Sequence, residues 1–318
     1  MEHLRAQGRR PITLIADLDA TVGGTLAVGG FGDASHLDGP CIDHVTALLV
    51  IRPDGERVRA GRDDELARFT LGGRGQLGAI AEATLRTIDR PLALSAWVLT
   101  WCTVADFVRA SEAIERQRLF DVVCARLIRA PDGVIGVTAH VGRSSVEAGD
   151  AAAALDAVAA TSASPKQATD TIAMLDGRYR RSPALTIELA VPLPRALEVI
   201  PELLHGLVDA GVMQWMPAGP AVTVVSRAAK SPLSLVPPGE GGALVLGFRL
   251  EPLAADAPAV RRALRATVEC ALAVGGRVNL ADVELSTPGL LDRQLGIGIA
   301  ERFRKLKRDL DPAGLLNP

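Results

Sequence analysis

Hydrophobic and polar positions follow two different patterns along this chain, and the change falls near Arg90-Pro91. Before it, Val45 to Ile51 is a β-rich run, Arg52-Pro-Asp-Gly55 is a turn and Glu56 to Ala60 returns, which predicts a hairpin. Asp63 and Asp64 then open a short helix through Phe69, with acidic residues where the positive end of the helix dipole favours them. Leu71 to Gly78 reads as a loop and Ala79 to Ile88 as a strand.

Past Arg90-Pro91 strands and helices alternate. Leu92 to Thr100 reads as a strand, and Thr103 with Asp106 forms a Thr-x-x-Asp helix start that puts Val104, Phe107, Val108 and Ile114 on one side. Val122 to Arg129 and Val134 to His140 flank a turn at Pro131 to Gly133. An Ala-rich helix, Val146 to Ala160, and a polar connector, Thr161 to Thr169, come next. The theme then repeats: strand Ala184 to Val191, helix Pro194 to Leu207, strands near Val212 to Met216, Ala221 to Ser226 and Ala243 to Leu250, and helix Ala257 to Val274. A mostly antiparallel sheet covered by helices is the expected result, an α+β fold. From about Gly276 the chain returns to its first unit and ends in an amphipathic helix, Pro288 to Leu310. The predicted division is therefore residues 1–89, 90–275 and 276–318.

Composition narrows the class. With 318 residues, 48% of them hydrophobic, the chain is long enough for two cores, and a formal charge of -2 gives no reason to expect nucleic acid or an acidic membrane as partner. The 3% aromatic content is low for a pocket that stacks planar substrates. Cys41, Cys102, Cys124 and Cys270 are widely separated, without a C-x-x-C pair or a histidine set that would hold zinc, and read as buried thiols. The apolar runs stop short of the roughly 20 residues that span a bilayer. The Arg-rich lead-in from Met1 to Arg10 has no apolar stretch of a signal peptide, so the expected location is cytoplasmic.

Glycine placement carries the chemistry. Thr21-Val-Gly-Gly-Thr-Leu-Ala-Val-Gly-Gly-Phe-Gly32, Asp38-Gly-Pro40 and Leu71-Gly-Gly-Arg-Gly-Gln-Leu-Gly-Ala-Ile80 supply residues without a Cβ and with access to positive φ. Backbone of that kind can pass close to a bulky anionic ligand. Two clusters about fifty positions apart predict one binding surface. Their order and wording resemble the flavin domain of the vanillyl-alcohol-oxidase type of FAD-linked oxidoreductases, most closely the cytokinin dehydrogenases. The ending Phe303-Arg-Lys-Leu-Lys-Arg-Asp-Leu-Asp-Pro-Ala-Gly-Leu-Leu-Asn-Pro318 is similar to that family's terminal helix and Asp-Pro-x-x-x-Leu-(Asn/Ser)-Pro motif.

The resemblance implies FAD as cofactor, a partial FAD-binding domain made of a second lobe and a C-terminal segment, and a cap domain over a small-molecule substrate. Thr21, Val22, Gly23 and Gly24 match the segment along the flavin diphosphate. Ala27 and Phe31 stand where the family uses a small polar and an apolar contact, Ile80 matches an aliphatic contact, and Asn317 matches a polar residue near the chain end. The change to alanine at Ala27 removes a hydrogen bond of about 0.5–1.5 kcal/mol. Family members also carry an upstream glycine-rich pyrophosphate loop, often with a flavin-linked histidine, and this chain starts downstream of both. The expectation is a truncated flavin lobe, with the rest encoded upstream or on a second chain. The alternative is a flavin-free relative acting as a small-molecule binding protein or a non-redox cyclase, and a third reading is a non-functional remnant.

Catalytic residues are not assigned. The family's proton-accepting aspartate lies five positions before the threonine of Thr-Val-Gly-Gly, which here is Ala16, a residue that accepts no proton. Asp17 and Asp19 share one face of an extended strand, opposite to Ala16, and read as solvent-facing acids. His36, His44, His140 and His205 have no metal spacing, and no metal is expected. His36 precedes the presumed cofactor path and reads as a loop histidine. Trp97, Trp101 and Trp215 lie on predicted cap strands, where core packing is favoured over a substrate pocket.

Overall fold

The computed structural model describes residues 2–13, 15, 20–90, 95–129, 135–144, 156, 158, 166–167, 185–215, 220–225, 230–237, 241–250, 256–280 and 289–316. Its first part contains α1 (Glu2–Ala6), β1 (Arg9–Pro11), α2 (Val22–Val28) and α3 (Ser35–Asp38), then β2 (Val45–Ile51), β3 (Arg57–Gly61), α4 (Glu65–Thr70), β4 (Ala79–Leu85) and β5 (Thr87–Asp89). The predicted hairpin forms. Gly55 adopts φ 84° in its turn and donates to the Arg52 carbonyl at 2.9 Å. β2 is the centre of an antiparallel three-stranded sheet, β3-β2-β4. Its buried Leu48 and Val50 pack with Leu26 of α2, Ile42, Ala60, Ala67 and Leu71.

The predicted strand from Ala79 to Ile88 is two strands. Arg86 interrupts it because its backbone N–H turns to the His44 carbonyl at 2.9 Å and its guanidinium to His44 Nδ1 at 3.1 Å. Beyond that break β5 leaves β2 and pairs antiparallel with β1.

The second part is an eight-stranded sheet. Its strands are β6 (Ser95–Trp101), β7 (Val122–Arg129), β8 (Ile135–Arg143), β9 (Lys166–Gln167), β10 (Leu185–Pro192), β11 (Ala221–Val225), β12 (Ala243–Leu250) and β13 (Arg277–Leu280). The order is β13-β10-β12-β11-β7-β8-β6-β9, and each neighbouring pair is antiparallel, as expected. Three helices, α5 (Val104–Arg116), α6 (Leu193–Asp209) and α7 (Ala257–Ala273), bury their apolar sides on one sheet face. α5 starts at Thr103 as its sequence predicts: the hydroxyl oxygen accepts from Asp106 N at 3.1 Å and its hydrogen goes to Asp106 Oδ2 at 2.7 Å. Trp97 and Trp101 sit inside this core, so packing explains both. The opposite sheet face meets the first part, where Ala190, Val225 and Val245 pack with Leu235, Val236 and Phe31.

Three expectations are corrected. The run from Val212 is a 3-10 turn, Val212–Trp215, because Gly211 (φ 69°) closes the end of α6 and Val212 then drops into the helix-side core. Within the predicted polar connector, Lys166–Gln167 pairs with Val98 and Trp97 at the sheet edge. The terminal helix is two, α8 (Leu290–Leu295) and α9 (Ile297–Leu310), broken at Gly296, whose φ of 77° favours glycine. The predicted helix from Val146 to Ala160 lies outside the described residues apart from Asp156 and Val158, which are helical. β13 carries the large sheet past Gly276 before the chain reaches α8.

The Asp-Pro ending has a structural explanation. Asp311 is buried, accepts from Leu315 N at 2.8 Å and Leu316 N at 2.9 Å, and pairs with Lys307 of α9. These contacts, the Lys307 bond foremost, depress its carboxyl to about 2. A depressed carboxyl contributes stability that is present above its unfolded value, ordinarily 3.8, and is lost as pH falls through about 2. Asp311→Asn is expected to speed hydrogen exchange at Leu315 and Leu316 while leaving α9 protected, which peptide-level exchange would read. Equal protection in both proteins would mean that the carboxylate does not hold the terminus.

Candidate functional site

The two glycine clusters meet through backbone bonds. Thr21 caps α2, its side-chain oxygen accepting from Gly24 N at 3.0 Å, and Gly29 (φ 77°) ends the helix. At that end the second cluster is stitched on: Gly72 N donates to Leu26 O at 2.9 Å and Arg74 N to Ala27 O at 2.8 Å. At the other end Gly23 lies against β4, where a Cβ would come within 3.0 Å of Ile80 O. Gly23 and Gly24 are therefore helical, and the positive φ values fall on Gly29, Gly72, Gly75 and Gly78.

Between α2, the loop after α4 and the start of β4 runs an open cleft of about 430 Å³. Thr21, Gly23, Gly24, Ala27 and Ile80 line it together with Thr70 and Gly75. Five of the proposed contact residues thus share one surface. Val22 points out at 57% exposure beside it, Phe31 is turned to the large sheet, and Asn317 is outside the described residues, as are Ala16, Asp17 and Asp19. The walls consist of glycines, alanines, an isoleucine and two threonines, with no carboxylate. Such a lining suits an elongated anion. The Thr21 hydroxyl hydrogen remains free to donate, since its oxygen is the acceptor for Gly24. Thr70 Oγ1 is buried without a hydrogen-bond partner. Thr70 directly precedes the glycine run from Leu71 to Ile80 but has no sequence signal of its own.

A half-buried polar network joins the glycine loop to the large sheet. Arg74 donates to Asn279 Oδ1, and Asn279 Nδ2 donates to Glu188 Oε2 at 2.8 Å and to Val28 O at 3.3 Å. Burial pushes the Glu188 carboxyl up from its ordinary value, opposed by the Asn279 bond and the Arg74 charge. The network joins the glycine loop, β10 and β13 across more than 200 residues of sequence, so no local pattern reveals it.

The remaining candidates are structural. His36 is buried and its Nε2 donates to Phe120 O at 3.1 Å, with burial the leading cause of its lowered pKa. Burial, then the Arg86 charge, lowers His44 to about 4. All four cysteines are free thiols. Burial raises Cys41 and Cys124 to about 12, which leaves them unreactive, and Cys102 is exposed. Among the described residues no group of three or more His, Cys, Asp or Glu side chains is placed to hold a metal, and no helix is long and apolar enough to cross a membrane.

No family model matches this chain. The proteins similar to it are oxidoreductases. One, named "Uncharacterized oxidoreductase ORF5 in fasciation locus" in Rhodococcoides fascians, is 35% identical over 125 residues, 39% of this chain and 28% of that protein. Cytokinin dehydrogenase 2 of Arabidopsis thaliana is 38% identical over 81 residues, 25% of this chain and 16% of the plant protein. Cytokinin dehydrogenase 7 of Oryza sativa subsp. japonica is 36% identical over 104 residues, or 32% and 20%. The chain spans less than a third of the length of each.

Proposed function

We propose that this chain is part of an FAD-linked oxidoreductase of the cytokinin-dehydrogenase type, with its glycine cleft along the cofactor's diphosphate. In this reading residues 1–89 and 276–318 belong to the flavin-binding domain and 90–275 cover a small-molecule substrate. The convergence of two distant glycine segments on one carboxylate-free cleft carries the proposal. The names of the similar proteins favour it over a flavin-free binding role.

The cofactor would supply hydride acceptance from the substrate. The chain's own part is binding and orientation. Thr21 donates its hydroxyl hydrogen, Gly23 and Gly24 keep the surface bare, and Ile80 gives an apolar edge. Ala27 lines the cleft without a polar group.

The test is a visible spectrum of the protein after incubation with FAD and removal of free cofactor. Retained bands near ~370 and ~450 nm are expected. Ala27→Ser is expected to tighten retention by about 2- to 10-fold, the worth of one added hydrogen bond. Ile80→Asp, which sets a carboxylate in the cleft, is expected to abolish it. A colourless wild type that is folded would sink flavin binding by this chain alone.

A further inference from the structure

We infer that a second, partly open site between the glycine loop, β13 and the terminal helices binds a small anion through Arg277, Gln294 and Ser234. Arg277 is 3% exposed. Its Nε donates to Gln294 O at 3.0 Å, and its Nη1 donates to Pro232 O at 3.0 Å and Ser234 O at 2.7 Å. All three acceptors are neutral carbonyls. Among the described residues Nη2 has no acceptor and no carboxylate pairs with the guanidinium, whose pKa burial alone lowers to about 10. A buried cation without a counter-charge is costly, and proteins ordinarily answer it with an opposite charge.

Arg277 lines a cavity of about 80 Å³ that Gln294 and Ser234 also face. Each of these two side chains has its acceptor occupied and its donor spare. Val278 N donates to Gln294 Oε1 at 3.0 Å, so the amide's other end is Nε2, a donor. Val236 N donates to Ser234 Oγ at 3.3 Å, so the hydroxyl hydrogen is left to point elsewhere. The loop's backbone N–H groups are spent on carbonyls, Gly72 on Leu26 and Gly73 on Thr70. Three side-chain donors therefore converge on a cavity with no carboxylate in its lining, and a ligand of negative charge satisfies all three at once. At roughly 30 Å³ per water molecule, the space takes a halide with a water or one acid group of oxyanion or carboxylate type.

This site is separate from the open cleft and its inference holds whether or not flavin binds. The probes are sodium chloride, inorganic phosphate and sodium acetate, titrated into the full chain at constant ionic strength and followed by calorimetry and thermal melting. At least one is expected to give a saturable isotherm with a matching rise in melting temperature. Chloride or phosphate would identify a free inorganic ion, and acetate alone would identify the carboxylate of an organic ligand. Arg277→Gln frees three carbonyls and can fail to fold, so the deciding variant is Gln294→Glu. It keeps the acceptor for Val278 N, removes the donor and sets a negative charge beside Arg277. It is expected to melt at or above the wild type without added anion and to lose the anion response. If none of the three probes saturates on the wild type, or if Gln294→Glu keeps the response, the site does not exist.

Discussion

Gly73→Ala is expected to lower the stability of the protein by about 3 kcal/mol, the upper range for overpacking a buried site. The new Cβ would stand 2.2 Å from Phe69 O and 3.3 Å from Thr70 O. Both are backbone atoms at the end of α4, so no rotamer change relieves the clash. Neither can the loop back away, because Gly72 N and Arg74 N are bonded to Leu26 and Ala27 on the other side. The cost therefore appears as a lost stitch between the two glycine clusters. At roughly 2–4 °C per kcal/mol the melting temperature should fall by about 6 °C or more. Gly298→Ala is the control: it lies in α9 with open space around it and should gain up to about 1 kcal/mol from helix propensity. A change at Gly73 below about 1 kcal/mol would show that the contact does not hold the loop.

The glycines were legible in the sequence, although the reason each is needed was not. Their number and order predict one surface, and Gly23, Gly24, Gly75 and Gly78 do reach one cleft. Yet Gly73 and Gly78 answer to protein atoms: a Cβ at Gly78 would sit 2.5 Å from Val50 Cγ1. A composition count cannot separate a glycine that faces a ligand from one that faces a neighbouring strand.

Strands with clean patterns were equally readable. β12 falls on its predicted bounds, and Thr103 caps α5 where the Thr-x-x-Asp spacing puts it. What failed were places where one distant group decides. Arg86 splits the single strand predicted from Ala79 to Ile88 because of His44, and a left-handed Gly296 divides a helix whose periodicity runs straight through it. The anion cavity lay beyond reach as well, since Arg277 and Ser234 are ordinary residues until the fold brings them to one cavity.

Asn279→Leu is expected to destabilise the protein by about 1–3 kcal/mol, the scale of leaving the partners of a half-buried hydrogen-bonded group unsatisfied. The amide serves three groups, as acceptor for Arg74 and as donor to Glu188 and to Val28 O, and leucine serves none. The loss should depend on pH, and its sign follows from Glu188. Burial raises that carboxyl above its ordinary 4.5, so above this value the unfolded chain gives up a proton that the folded chain retains. Stability therefore declines as pH rises from 4.5 and levels off only past the folded value. The Asn279 hydrogen bond holds the folded value down. Removing it pushes that value higher still and carries the decline further up the pH scale. Glu188→Gln has no proton to lose and should flatten the same stretch of the profile. Denaturant melts of the three proteins between about pH 4 and 8 read these slopes directly. A penalty at Asn279 that is the same at every pH would assign the cost to packing and leave Glu188 with no part in joining the sheet to the glycine loop.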